Sequence, residues 1–313
     1  MRCHRNRATS CSEAHPAPRL AIPIMKIIRA EHLGMCFGVR DAIALARETA
    51  QHEPLTILGD LVHNESVLAE LRARGIQFQN DAREVATQTV MITAHGASEQ
   101  RLGAMRGRGL NVLEATCPLV HVAHQAVARL VRDGFHPVII GKRDHVEVRG
   151  LTEDLEAFDV VLSEADVRQL QERSRFGIAA QTTQPIEKVR QLAASIQRRF
   201  PRSDVRLVDT VCKPTKERQD AAVALARASD VVIVVGGETS NNTRELVKTC
   251  ARYCARVHHV QTDTDVRPEW FDAVNVVGLT AGTSTPDDVI DRVEARIRQV
   301  EAWTRGVEHA CQP

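Results

Sequence analysis

Apolar residues along this chain recur with two periods. Short apolar runs bounded by glycine, proline or polar turns predict strands at Lys26–Ile28, Leu55–Leu58, Val90–Thr93, Val138–Ile140, Val160–Leu162, Gly177–Ala180, Val205–Val208, Val231–Val235 and Val274–Leu279. Between them, apolar positions spaced three and four apart predict helices at Val39–Glu48, Ser66–Arg74, Val120–Arg132, Ile186–Arg199, Arg218–Ala228, Arg244–Arg252 and Pro286–Arg298. Alternating strands and helices imply an α/β fold with parallel strands.

A coarser repeat lies over this alternation. Cys36, Cys117 and Cys212 each sit in a short loop before a helix, and each helix leads into a strand followed by a polar loop: His63-Asn64, His145-Val146-Glu147 and Ser240-Asn241-Asn242. The offsets from cysteine to loop are 27 (36 to 63), 28 (117 to 145) and 28 (212 to 240), an agreement that unrelated loops would rarely give. A further strand in each third ends in Ala94-His95-Gly96, Gln181-Thr182-Thr183 or Thr280-Ala281-Gly282-Thr283-Ser284. The expected organisation is an N-terminal extension over 1–24, unstructured, then three similar α/β units over 25–117, 118–210 and 211–313, the last carrying a C-terminal tail. Ligands of open α/β sheets bind outside the carboxyl ends of the strands, so the three cysteines and six polar loops are expected around one centre.

Composition narrows what that centre can serve. The chain has 313 residues, 43% of them hydrophobic, enough for a sizeable core. A net charge of +1 without a basic run argues against a nucleic-acid partner. The longest apolar runs are strand-length, far short of the roughly 20 residues that cross a bilayer, so no membrane association is expected. Residues 1–24 do not read as a secretory signal, and eight dispersed cysteines suit a reducing compartment, so a cytoplasmic location is expected.

Thiolates are the usual ligands of iron-sulfur clusters, and three of them on a four-iron cluster leave one iron without a protein ligand. An open position of that kind separates a catalytic metal site from a structural one. Singly, each cysteine would read as a buried apolar residue, and the shared offsets are what favour a common role. Structural zinc is disfavoured, since no Cys-x-x-Cys pair exists. His121 and His124 read as helix-surface residues, and Cys250 and Cys254 as an inward helix face. Ser240, Asn241, Asn242 and Ser284 supply hydroxyl and amide groups at helix starts, where anions bind, although capping alone would explain Ser and Asn there. His63, His95 and His145 occupy comparable loops. Glu147, beside His145 and across from Thr182, is placed to carry protons.

These segments, from Gly34-Met35-Cys36-Phe37-Gly38-Val39 through Ala115-Thr116-Cys117-Pro118, His145-Val146-Glu147-Val148 and Cys212 with Thr215 and Arg218-Gln219, resemble the IspH/LytB proteins in order over about 25–300. Those proteins are the 4-hydroxy-3-methylbut-2-enyl diphosphate reductases of the non-mevalonate isoprenoid pathway. The resemblance implies a trefoil of three pseudo-equivalent α/β units around a [4Fe-4S] cluster on Cys36, Cys117 and Cys212. It implies diphosphate binding by His63, His95, Ser240, Asn242 and Ser284 with support from His145, a proton relay of Glu147 and Thr182, and electrons from ferredoxin or flavodoxin. Lys142, Val146, the region of Val122 and Pro214 depart from the family pattern, which keeps open a diverged paralogue acting on another substrate. A non-catalytic cluster-binding redox sensor is the rival from another class, and it would have no need of Glu147.

Overall fold

Twelve strands form three separate four-stranded sheets in the computed structural model, which describes residues 25–310. The first sheet contains β2 (Leu55–Leu58), β3 (Gln77–Gln79), β4 (Thr89–Ile92) and β5 (Asn111–Glu114) in the order β3-β2-β4-β5. The second contains β6 (His136–Ile140), β7 (Asp159–Val161), β8 (Arg175–Ala180) and β9 (Asp204–Leu207) in the order β7-β6-β8-β9. The third joins β1 (Lys26–Arg29) to β10 (Val231–Val235), β11 (Val257–Val260) and β12 (Val276–Ala281) in the order β1-β12-β10-β11. All pairings are parallel.

The helices are α1 (Phe37–His52), α2 (Glu65–Ala73), α3 (Glu99–Gly107), α4 (Pro118–Arg132), α5 (Val146–Thr152), α6 (Glu164–Gln169), α7 (Ile186–Arg199), α8 (Lys213–Arg227), α9 (Asn241–Ala251) and α10 (Asp287–Ala310). Among the described residues no helix is long and apolar enough to cross a membrane. The expected extension over 1–24, with Cys3 and Cys11, lies outside the described residues, as does Cys311.

Each sheet is covered on both faces, which is why its central strands are mostly apolar runs rather than alternating, β10 wholly so. Along β10, Val231, Ile233 and Val235 join a core with Val289, Val293 and Ile297 of α10. Val232 and Val234 point the other way, into a core with Ala222 and Leu225 of α8 and Leu246 of α9. The second sheet divides likewise, with Val138, Ile140 and Ile178 against α7 and Ile139 and Ala179 against α4 and α5. Truncating a fully buried residue such as Ile233 to Ala would cost about 2–5 kcal/mol.

The sheet topology corrects one expected boundary. β1 was grouped with the first unit, over 25–117, but Lys26 to Arg29 register against Val276 to Leu279 and complete the third sheet. β1 there holds the edge position that β5 and β9 hold in the other two sheets. The repeating unit therefore runs across the chain ends: its fourth strand in the third sheet comes from the beginning of the described chain.

Candidate functional site

The three cysteines follow the three fourth strands, β1, β5 and β9, and each is the N-cap of the next helix: Cys36 of α1, Cys117 of α4 and Cys212 of α8. None of the three side chains caps its own helix, so the positive helix ends are left facing the sulfurs, an arrangement that favours negative charge there. Each cysteine is also held from behind in the same way. Cys36 N–H donates to Thr283 O (3.1 Å), Cys117 N–H to Ala94 O (3.0 Å) and Cys212 N–H to Thr182 O (3.0 Å). Those three carbonyls belong to the polar loops after β12, β4 and β8, so the backbone of every one of these cysteines is tied to a polar loop.

All three thiols are free and partly exposed. Burial pushes the Cys117 thiol up, opposed by the N–H groups of Leu119 and Val120 and reinforced by Cys36 and Glu147. Burial likewise pushes Cys212 up to about 11, against hydrogen bonds from Thr215, whose Oγ1 lies 3.0 Å from Sγ. A metal that replaces these protons would relieve that cost. Gly38, in the first turn of α1, lies so close that a Cβ there would sit 2.6 Å from Cys117 Sγ. The glycine keeps open the space beside the sulfur. Three thiols, of which Cys36 acts on both of the others, three helix N-termini and this cleared space fit a cluster held by three thiolates.

Above the thiols lies a polar cavity lined by His63, His95, His145, Thr183, Ser240, Asn241, Asn242, Thr283 and Ser284, with Val39 and Val62 as its apolar part. These residues come from the loops after the central strand pairs β2/β4, β6/β8 and β10/β12, the points where strand order reverses in each sheet. The three imidazoles face one another with centroids 5.0–5.4 Å apart. A ligand nitrogen from each lies within 4.8 Å of the others, a spacing that a metal ion or the oxygens of a phosphoryl group could bridge. His145 Nδ1 accepts the Glu147 N–H (3.2 Å), and Thr93 Oγ1 lies 3.3 Å from His95 Nδ1.

Burial lowers the pKa of all three, His145 to about 3 and His95 well below the ordinary value; His63 and His145 add to the effect at His95, His63, Lys142, Arg149 and Arg244 add to it at His145, and at His63 Asp60 opposes it while Arg244 and Lys142 reinforce it. They are neutral near pH 7 and keep N–H donors available. His63 Nε2 and Asn242 Nδ2 are buried with no hydrogen-bond partner, and such groups ordinarily find one. An anion would satisfy both. Ser240 Oγ accepts the Thr243 N–H and so does cap α9, as ordinary capping would have it, but Asn241 Nδ2 reaches Thr183 Oγ1 (3.4 Å) across the cavity wall. Ser284 Oγ donates to His63 O (3.4 Å). A Cβ on Gly237 would lie 2.1 Å from that same carbonyl, so only glycine lets the two loops close.

Glu147 is 1% exposed, acts electrostatically on both Cys117 and Cys212, and through its N–H is bonded to His145, which lines the cavity. Its Oε1 accepts the Thr182 N–H at 2.6 Å. Burial raises its pKa to about 7, against the lowering effect of Thr182's backbone and side chain. Thr182 thus faces Glu147, and it is Thr183 that lines the cavity. Thr183 and Thr283 belong to polar turns that the sequence pattern names without giving them a role, and it gives none to Val39 or Val62. Thr183 and Thr283 could have been found as neighbours of the proposed residues in the same polar turns. His121 is exposed as expected, whereas His124 packs between Gly96 and Gly150, and Cys250 and Cys254 are buried.

Fold and site together define a class: three-sheet α/β proteins that bring one thiol per unit, each from the N-cap residue of a helix, together with a buried carboxyl and a polar cavity. The chain matches the family model described as LytB protein over residues 27–298, and it belongs to that family. It is 36% identical to 4-hydroxy-3-methylbut-2-enyl diphosphate reductase of Geobacter metallireducens, over 89% of this chain and 99% of that protein. The reductase of Aquifex aeolicus is also 36% identical, over 88% and 97%. Among solved structures, that of (E)-4-hydroxy-3-methyl-but-2-enyl diphosphate reductase, the terminal enzyme of the non-mevalonate pathway, aligns with TM-score 0.65 at 36% identity over 87% of this chain and 99% of that one. The E-1-hydroxy-2-methyl-but-2-enyl-4-diphosphate reductase from Plasmodium falciparum aligns with TM-score 0.81 at 26% identity over 87% and 88%.

Proposed function

We propose that this chain reduces 4-hydroxy-3-methylbut-2-enyl diphosphate to isopentenyl and dimethylallyl diphosphates, using a [4Fe-4S] cluster on Cys36, Cys117 and Cys212. The observation that carries the reading is Glu147, a buried carboxyl with its pKa raised to about 7, which acts on Cys117 and Cys212 and is hydrogen-bonded to His145 at the edge of a cavity of imidazole, amide and hydroxyl groups. A non-catalytic redox sensor needs neither the carboxyl nor the cavity, and the named relatives favour the reductase over a diverged paralogue.

The reaction consumes two electrons and two protons: the allylic C–O bond breaks, a C–H bond forms and water leaves. When bound, the cluster supplies the electrons singly and offers an iron free of protein ligands to polarise the substrate hydroxyl. His63, His95, Ser240, Asn241, Asn242 and Ser284 hold the diphosphate, with His145 in support, and fix the hydroxyl end toward the thiols. Burial of these groups makes each hydrogen bond to the anion stronger than it would be in water. Glu147, protonated at Oε2 while Oε1 accepts from Thr182, gives its proton to the departing hydroxyl. Thr182 holds the carboxyl in line and helps return a proton to it. Ferredoxin or flavodoxin supplies the electrons in the cytoplasm. The three units, closed by β1 in the third, meet around this centre.

The test is anaerobic reconstitution with iron and sulfide, followed by an assay of the allylic diphosphate with a reduced viologen. A loaded chain that turns over no substrate, with the diphosphate bound, would sink the reading.

A further inference from the structure

Arg218 of α8 is 7% exposed, and none of its hydrogen bonds goes to a carboxylate. Its Nε and Nη2 donate to Gly34 O at 3.1 and 2.7 Å, and its Nη1 donates to Pro214 O at 3.0 Å. Gly34 lies two residues before Cys36, and Pro214 two residues after Cys212. One side chain therefore spans the segments that carry two of the three thiols. Among the described residues it forms no ion pair. A buried guanidinium without a counter-charge is costly, and folds retain one only where something nearby answers it.

The groups acting on Arg218 identify that partner. Burial opposes its charge first; the sulfurs of Cys36 and Cys212 then favour it, ahead of the carboxylate of Glu217, while Arg40 opposes it. Glu217 is already engaged by Lys213 at 3.4 Å and is half-exposed. The fork to Gly34 O and Pro214 O sets the guanidinium between the segments that carry Cys36 and Cys212, so that thiolates there, the form in which cysteines ligate a metal, would supply the negative charge it lacks.

We propose that Arg218 is a positioning residue whose fixed charge balances the cluster and raises its reduction potential, and that its fork sets the spacing of the Cys36 and Cys212 segments. The inference rests on the cluster proposed above. Adding an electron increases the negative charge beside Arg218, so a nearby cation stabilises the reduced form more than the oxidised one. Without that cation a given donor would reduce a smaller fraction of the protein.

The experiment compares Arg218→Lys with Arg218→Met. Both lose most of the fork to Gly34 and Pro214, but only Met loses the charge. Anaerobically loaded wild type and variants are titrated with dithionite-poised mediators, with the reduced cluster followed by electron paramagnetic resonance and iron counted on the same samples. At a fixed potential the reduced-to-oxidised ratio of Arg218→Met should fall about tenfold below that of Arg218→Lys, equivalent to about 59 mV for one electron. A Met chain that keeps its helical circular dichroism but holds no cluster, beside a loaded Lys chain, supports the charge role as well. Equal potentials in the two variants overturn it. Failure of both variants to fold, or of Met alone, also overturns it by showing that the residue serves the fold. A wild-type chain that takes up no iron removes both this inference and the cluster proposal, whereas a loaded wild type with equal variant potentials removes this one alone.

Discussion

Replacing Glu147 with Gln keeps the size of a side chain that is almost wholly buried and removes its ability to release a proton. The amide can still accept the Thr182 N–H through its oxygen, so the local geometry survives. Two effects follow from a carboxyl whose pKa rises from 4.5 to about 7 on burial. In catalysis the protonated form is the active one. Wild-type turnover with a chemical reductant should be level below pH 7 and fall about tenfold per pH unit well above it, while Glu147→Gln should run about 10²- to 10⁴-fold slower without that limb. In stability the native chain binds a proton between pH 4.5 and 7 that the unfolded chain has released, so stability declines as pH rises through this window and levels off above it. At about 1.4 kcal/mol for each tenfold change, the decline is about 3 kcal/mol. Gln cannot ionise, so its urea midpoint should lack this decline and gain on wild type from pH 5 to pH 8. Turnover by pH-jump assay and urea unfolding of cluster-free chain measure the two effects separately. Wild-type turnover that holds through pH 9, or identical stability profiles for the two chains, would refute the argument that burial keeps this carboxyl protonated.

Anaerobically purified chain should be brown with about four irons, and iron should be lost when Cys36, Cys117 and Cys212 are all changed to Ser; colorimetric iron retained in that variant would remove the cluster assignment. Gly38→Ala should lower iron content sharply, because its Cβ would come within 2.6 Å of Cys117 Sγ and 3.0 Å of Cys117 Cβ and displace that thiol; colorimetric iron equal to wild type would refute this. Asn242→Ala removes a buried donor that has no protein partner, so it should weaken diphosphate binding by roughly tenfold, as seen in KM and in the cluster spectrum, with little change in the melting temperature.

The parts of the fold most legible in sequence are those whose burial is two-sided or strongly one-sided. β10 reads correctly because all five residues are buried, and α7 because Val189, Leu192, Ala193 and Ile196 form one inward stripe. β3, β5 and β11 escaped notice because they are short or half-exposed, as in Gln77-Phe78-Gln79, and their pairing comes from a neighbour already in place. α3 buries only Leu102 and Met105 and carries little helical pattern, while α5 and α6 are under two turns long. The polar loops were legible through their repeat, which records topology. What the sequence could not display is ionisation: the low pKa of His145 and the high one of Glu147 both come chiefly from burial by residues distant in the chain. The part played by β1 was hidden for a similar reason, since nothing in Lys26–Arg29 indicates whether it pairs with β2 or with a strand some 250 residues later.

That displaced strand bears on how the centre forms. Because β1 lies on the edge of the third sheet, the Cys36 N–H can reach the Thr283 carbonyl just as the Cys117 and Cys212 N–H groups reach Ala94 and Thr182. Each thiol is thereby fixed to the sheet before it, while the helix it caps leads into the sheet after it. No unit on its own can present a thiol to the centre with both of these restraints. The first thiol in particular acquires its restraint only when β12 has been made and paired with β1, near the end of the chain. The cradle is consequently a property of the closed ring of three units. Cutting the β1–β12 pairing, for instance with Ile28→Pro, which removes a donor on the side of β1 that faces β12, as Lys26 N–H to Asn275 O and Ala30 N–H to Leu279 O show, should loosen Cys36 and the Thr283-Ser284 wall of the cavity together. Iron content and diphosphate affinity are therefore expected to fall in parallel in such a variant, even though Ile28 packs against the core of the third sheet and does not line the cavity.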